Sequence, residues 1–398
     1  DDMRSVDDYE TYLRPILTAL KQIDGRAPVS IMTCTIDPAH PHLQTWIKEG
    51  VSIETHTIDH PCPCLQGGSL EKAKSTYDRC VDQIASIPGN HPVAFRFPCC
   101  DSLNTPSPRA FTEIISKTTP AGNFLQLSSS VANLFTADDP QLPRELTLNT
   151  DGQPRFSRYA PFPSFVNKIE NYPYPFVINR LCWEFPIAVP DDWQGQNLQS
   201  PNNPQTVTDM KALIDAAVIK GGTANIVFHP YDWIRSEQIV EVINHGVQKH
   251  GNQVKFLNFQ ECVSQLNGHL LAGQPLRDSR GRDNGVRLLD LNDDGFLDVV
   301  IGNAEMRRTR LWIPETNSWK EFDFPVSIVH PHPTRTQRDA GVRFGVFGRQ
   351  WTTSFYVANE QTVGIWHFTG DGWIKDPQLL EGLSLQQQPI ASSHAGND

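Results

Sequence analysis

The sequence predicts two architectures in one chain: an α/β fold over residues 1–272 and an all-β segment over 273–398. From residue 8 to about 266, short β-rich runs alternate with stretches of helical period. Strands separated by helices pair in parallel, in a layered or barrel α/β arrangement. Around residues 271–285 the composition shifts to Gly, Arg and Asp without helical period, and only strand-like runs follow. The length, 398 residues, exceeds one ordinary core and fits two domains.

Each element has a local reason. Tyr9, Leu13, Leu17 and Leu20 recur at helical spacing, with Pro15 expected to kink that helix. A strand is expected at 29–34, a helix near 43–48 and a strand at 51–55. A long helix follows over 70–87, closed by Pro88-Gly89, and then a strand at 93–95. The stretch 101–175 is Pro-rich and irregular, and is expected to form decorated loops instead of core. A strand at 176–182 and a helix at 207–220, ended by Gly221-Gly222, come next. The apolar strand 224–228, a helix at 237–249 and a strand at 254–257 complete the set. Beyond the boundary, strands are expected at 286–289, 299–301, 311–313, 341–347, 354–358 and 364–368.

Composition narrows the function classes. Apolar residues at 38% and aromatics at 9% suffice to build cores. A net charge of −11 and the lack of a Lys/Arg-rich block argue against nucleic acid or an anionic membrane as the main partner. No apolar run approaches the roughly 18–20 residues of a membrane span. The chain opens on Asp1-Asp2-Met3 with no leader and no strand ahead of those carboxylates, which reads as a piece of a longer protein. Eight cysteines (34, 62, 64, 80, 99, 100, 182 and 262) do not follow a paired zinc spacing. Cys62 and Cys64 lie in one loop and Cys99-Cys100 in another, so disulfides across the two loops are expected. Buried thiols and a second metal site are the other readings. Disulfides would mean an exported protein.

Residues 54–60, Glu-Thr-His-Thr-Ile-Asp-His, follow the alternating run at 50–53 and place His56 and His60 four positions apart at a strand end. On one turn of helix such a pair points one way and can share a metal ion. A hydrogen-bonded or solvated histidine pair is the competing reading. A third ligand and a general base are needed, and Asp1 and Asp2 are the candidates. Three segments fall at expected strand ends, where α/β folds gather catalytic groups: 56–60, 96–100 and His229.

The order of the separated motifs carries more than any one of them. Asp1-Asp2 precedes His56-Thr57-Ile58-Asp59-His60, then Arg96-Phe97-Pro98, Asp191-Asp192-Trp193 and Ile226-Val227-Phe228-His229. Over about residues 1–266 this resembles the NodB-homology polysaccharide deacetylases, carbohydrate esterase family 4. The resemblance implies a distorted (β/α) barrel, typically of seven strands. It implies Asp2, His56 and His60 as ligands of Zn²⁺, Co²⁺ or another divalent transition metal, and Asp1 as general base. Arg96 would orient that base and be balanced by Asp192, Trp193 would pack beside the site, and His229 would be the general acid. The backbone N–H of Cys99 would help to hold the oxyanion. Taken singly, His229 also reads as a satisfied core histidine and Arg96 as a sheet cap. Two departures from the family pattern, Met3 after the Asp pair and Cys99-Cys100 after Arg96-Phe97-Pro98, leave the substrate more open than the reaction. The insert at 101–175 is expected to roof the cleft.

In the C-terminal part, Asp290, Asn292, Asp294 and Asp298 alternate about Gly295. This is the ligand arithmetic of a Ca²⁺ loop, with Phe296 offering a carbonyl. Strand-like flanks exclude an EF-hand. The segment resembles an integrin-type FG-GAP repeat, a partial β-propeller whose second blade-like stretch, 341–373, lacks the ligand series. The expected function is a secreted, periplasmic or cell-surface hydrolase that removes N-acetyl groups from an acetylated glycan. O-acetyl esterase chemistry on the same site, and an inactive glycan-binding adhesion protein, are the alternatives.

Overall fold

Helix α1 (Val6–Asp24) begins where Ser5 Oγ accepts from the Asp8 N–H (3.4 Å), and it ends at Gly25 with φ of 82°. Glycine takes this left-handed conformation at little steric cost. The helix continues past Pro15 and buries Val6, Tyr9, Leu13, Ile16, Leu17 and Leu20. The computed structural model describes residues 1–62, 64–65, 69–100, 108–160, 168–330, 338–346 and 352–377. The chain divides into two compact units, Asp1–Ser264 and Gln265–Asp398, a few residues before the compositional boundary.

In the first unit α1 is followed by β1 (Ser30–Thr33), α2 (Pro41–Glu49), β2 (Ser52–Thr55), α3 (Leu70–Ala85) and β3 (Ala94–Phe95). Short elements come next: α4 (Pro108–Ala110), β4 (Leu127–Ser128), β5 (Ala132–Leu134), α5 (Arg144–Thr147) and β6 (Lys168–Glu170). Then come β7 (Phe176–Ile178), β8 (Cys182–Glu184), β9 (Ile187–Ala188), α6 (Asp192–Leu198), α7 (Pro204–Lys220), α8 (Ser236–His250) and α9 (Phe259–Gln265). A six-stranded sheet runs β1-β2-β3-β4-β8-β7, parallel except for the last pair, and a parallel three-stranded sheet runs β6-β5-β9. Apolar side chains of α1, α2, α7 and α8 form one core with those of β1 and β2.

Four expectations are corrected. No closed barrel forms among the described residues. The segments 224–228 and 254–257 were expected to be strands but make no ladder, apart from a single bridge between Asn225 and Ile187. Groups in and beside the first segment find other partners: the Phe228 carbonyl accepts from the Asp1 amino group (2.9 Å), the His229 N–H goes to Asp192 Oδ2 (2.6 Å) and the Thr223 N–H to the Pro173 carbonyl (2.7 Å). A cavity of about 690 Å³ lies there instead, lined by Leu13, Ile16, Val227 and Val254 among others. The expected strand 176–182 is a hairpin, because Asn179 and Arg180 both take positive φ (49° and 65°), as a tight primed turn demands. The stretch 101–175 is not all loop. Its residues 101–107 and 161–167 lie outside the described residues, but Phe111, Leu125, Leu127, Phe135, Phe156 and Tyr159 are buried.

The second unit holds two four-stranded antiparallel meanders. The first is β10 (Val286–Leu289), β11 (Asp298–Gly302), β12 (Arg307–Ile313) and β13 (Ser318–Asp323). After the pair β14 (Val329–His330) and β15 (Arg338–Asp339) comes the second: β16 (Val342–Val346), β17 (Thr353–Ala358), β18 (Val363–Phe368) and β19 (Trp373–Lys375). Phe324, Phe355, Trp366 and Phe368 belong to their shared core. Leu17→Ala is expected to cost about 3 kcal/mol, because a fully buried leucine leaves a cavity in the core that α1 shares with β1 and β2. Urea unfolding would show it as a lower midpoint at unchanged slope.

Candidate metal and catalytic centre

The site is assembled at the C-terminal ends of β1, β2 and β3. Met3 bridges Thr33 in parallel, with Met3 N–H to Met32 O at 3.0 Å and Cys34 N–H to Met3 O at 2.8 Å, which sets Asp1 and Asp2 beside the end of β1. The Tyr9 hydroxyl, delivered by α1, donates to the Asp1 carbonyl. His56 follows β2 directly and its N–H donates to Thr33 O (2.9 Å). Arg96 follows β3, its N–H donating to Thr55 O (3.1 Å). His56 and His60 do not share a helical turn. They sit on a bend in which Thr57 and His60 have φ of 66° and 50°. Asp2 is also left-handed, at 65°. Strained backbone of this kind persists only where its surroundings hold it.

Asp2 Oδ1 lies 2.7 Å from His56 Nε2 and 2.8 Å from His60 Nε2. His56 Nδ1 lies 2.8 Å from the Arg96 carbonyl, which can only accept, so Nδ1 carries the proton. Burial pushes the His56 ring down to about 4, so the imidazole is neutral and its Nε2 presents a lone pair. That nitrogen is buried without a hydrogen-bond partner. A lone pair facing a carboxylate oxygen at this distance calls for a cation between them. Burial opposes ionisation of Asp2, but the His56 and His60 rings beside it hold its carboxyl far below the usual range. The three residues bring one ligand atom each within 4.8 Å of one another, a donor set that fits a divalent transition metal.

Across the site, Asp1 Oδ1 is buried without a hydrogen-bond partner, 3.6 Å from Arg96 Nη1 and 3.8 Å from His56 Nε2. Its other oxygen is 3.7 Å from His229 Nε2. Arg96 is aimed by Ser129, whose carbonyl and hydroxyl each accept at 2.8 Å. Asp192 engages His229. Its Oδ1 is 2.8 Å from His229 Nδ1, and its Oδ2 accepts the His229 N–H. Asp191 caps α6 by accepting from the Gln194 N–H (2.6 Å).

The other predicted residues fall nearby or elsewhere. Cys62 and Cys99 form a disulfide that ties the loop after His60 to the turn after Arg96-Phe97-Pro98. Trp193 lies in the first turn of α6, directly after Asp192. Sequence reasoning missed Tyr231 and Trp233, whose rings stand 5.7 Å and 4.9 Å from the His229 ring. Their spacing of two and four after His229 was the available signal. It also missed Ser129, which has no sequence signature. In the second unit, Asp298 is turned inward and its oxygens accept from the Trp312 N–H (2.8 Å) and the Leu291 N–H (2.9 Å). Asp290 and Asp294 instead cap the loop's own backbone, at Gly295 N–H (2.8 Å) and Phe296 N–H (2.8 Å).

Residues 1–108 match the model of the polysaccharide deacetylase family, a span that holds Asp1, Asp2, His56, His60 and Arg96. No curated protein matches the chain. Among solved structures, it is similar to a protein described as a polysaccharide deacetylase from Mycobacterium smegmatis, with 16% identity over 67% of this chain and 81% of that one and a TM-score of 0.42. It is also similar to Puue allantoinase (11% identity, 66% and 76% covered, TM-score 0.41). A third likeness is to the peptidoglycan deacetylase PdaC from Bacillus subtilis (13% identity, 67% and 93% covered, TM-score 0.27). These likenesses are distant, and the family match is what bears on function. It supports carbohydrate deacetylase activity on an acetylated carbohydrate. No helix among the described residues is long and apolar enough to cross a membrane.

Replacing both Cys62 and Cys99 by Ser is expected to lower stability by roughly 3–4 kcal/mol, the loop-closure entropy of a bridge across 37 positions. Denaturant titration of both forms measures it. Burial, with Asp192 beside it, pushes the Asp191 carboxyl from 3.8 up to about 7. The folded protein therefore keeps a proton that the unfolded chain releases. This stability is fully present below pH 3.8 and is lost as pH rises to about 7. Asp191→Asn keeps the acceptor for Gln194 and should flatten that decline. Equal differences between urea midpoints at pH 5 and pH 8 in both proteins would refute it.

Proposed function

We propose that the first unit is a divalent-metal-dependent deacetylase that removes N-acetyl groups from an exported or cell-surface glycan. The observation that carries this reading is the pair of imidazole nitrogens set about one oxygen of Asp2, with His56 locked by Arg96 O in the tautomer a ligand needs. Asp2, His56 and His60 would hold the ion, Zn²⁺ or Co²⁺. When bound, the ion supplies Lewis acidity to the acetyl carbonyl and acidifies a water.

The remaining work falls to the chain's own groups. Asp1, unpaired at Oδ1 and steered by Arg96, takes the proton of the attacking water. His229 stands on the far side of Asp1 and delivers a proton from Nε2 to the departing amine nitrogen. Asp192 holds Nδ1 of that ring, so the exchangeable proton is on the nitrogen that faces the site. The Cys99 N–H, fixed by the disulfide, is the oxyanion donor in this reading, and Trp193 closes one wall. Ester and amide acetyl groups demand the same groups, so O-acetyl release is a side activity of the same centre. The second unit would serve to present the enzyme, and a Ca²⁺ there would be held by Asp290, Asn292, Asp294, the Phe296 carbonyl and Asp298.

Acetate release from chitooligosaccharides, peptidoglycan and acetylated xylan tests the proposal. His56→Ala is expected to lose roughly a thousandfold or more of the activity. His229→Ala should lose about 10²–10⁴-fold while keeping its metal. Chelator should abolish release and Zn²⁺ or Co²⁺ restore it. Release that survives chelation would overturn the reading.

A further inference from the structure

A second cluster, which shares no residue with the centre above, repeats its geometry. Asp215 lies in α7, and His245 and His250 lie in α8. His245 Nε2 is 2.8 Å and His250 Nε2 is 2.6 Å from the same oxygen, Oδ1 of Asp215. The corresponding distances about Asp2 Oδ1 are 2.7 and 2.8 Å. All three ligand atoms lie within 4.8 Å of one another. The side chains are mostly withdrawn from solvent, with exposures of 8% for Asp215, 21% for His245 and 12% for His250.

We propose that Asp215, His245 and His250 form a second site for a divalent transition cation that favours imidazole, with Zn²⁺ the best fit. Tetrahedral zinc wants nitrogen and oxygen ligands about 2.0–2.1 Å from the ion, hence roughly 3.3 Å from one another. The observed separations reach that after shifts of about half an ångström, within the freedom of rotamers near a helix end. Lys249 occupies the other oxygen, Oδ2, at 2.7 Å, but its side chain is 53% exposed and can swing into solvent. The site would tie α7 to α8, and those helices bracket the segment 221–235 that carries His229. The bound ion is therefore a clip on the stretch that positions the acid, in place of the ladder that stretch does not make.

The test uses the full chain stripped with chelator and titrated with Zn²⁺ by calorimetry, with metal counted after dialysis. His56→Ala with His60→Ala empties the first site, so that its failure or success is separate from this one. That double variant is expected to retain one equivalent of Zn²⁺ and to melt at a higher temperature when it is bound. Adding His245→Gln and His250→Gln should abolish both effects. If the double variant binds no Zn²⁺, or the quadruple variant binds it as tightly as the double, the second site does not exist. Should the quadruple variant not fold, Lys249→Met in the double background decides. Removing the competing ammonium should tighten Zn²⁺ binding several-fold, and unchanged affinity would overturn the proposal.

Discussion

The site depends on one hydrogen bond, from His56 Nδ1–H to the carbonyl of Arg96. It fixes which nitrogen of a buried neutral ring carries the proton and so turns the other toward Asp2. It also couples two strand ends, because the residue whose carbonyl accepts is the one whose guanidinium approaches Asp1. A shift of β3 against β2 would therefore misplace the His56 ring and the guanidinium beside Asp1 together. The sheet resists such a shift through the Thr55–Phe95 pairing and through the Arg96 N–H on Thr55 O.

Around that bond the site gathers charges that water would otherwise solvate. Asp1, Asp2 and Asp192 gather about His56, His60, His229 and the Arg96 guanidinium, and burying carboxylates in such excess is costly without compensation. The partners are specific: two imidazoles for Asp2, the His229 ring and its N–H for Asp192, and Ser129 to hold Arg96. Asp1 Oδ1 is left without a hydrogen bond, as is His56 Nε2. A divalent cation there would offset the surplus negative charge.

The second unit is organised by repetition. Asp283-Asn284-Gly285-Val286-Arg287 recurs as Asp339-Ala340-Gly341-Val342-Arg343 at the entry to each meander. In both copies the Asp accepts from the Gly N–H (2.9 and 2.8 Å) and pairs with the Arg (2.7 and 2.8 Å). Asn303 and Asn359 likewise reach back to the carbonyls of Asn284 (2.9 Å) and Ala340 (2.6 Å). The acidic run at Asp290 draws the eye in the sequence, yet this quieter pattern marks the repeat. Its shared chemistry is backbone capping by the Asp, secured by the Arg four positions on.

The sequence by itself determined most of the alternation of strands and helices in the first unit and which side chains gather at the strand ends. Hydrophobic period and strand-end position need no more than local spacing, and Asp1, Asp2, His56, His60, Arg96, Asp192 and His229 do lie together. Tertiary structure alone decided the partners. Asp192 turned to His229, Ser129 took Arg96, and Cys62 found Cys99 across 37 positions. It also decided that 224–228 runs without a ladder: the N–H groups on either side of it go to the Pro173 carbonyl and the Asp192 carboxylate, both distant in sequence. Periodicity reports which face of a segment is apolar. Which donor meets which acceptor depends on the whole chain being in place.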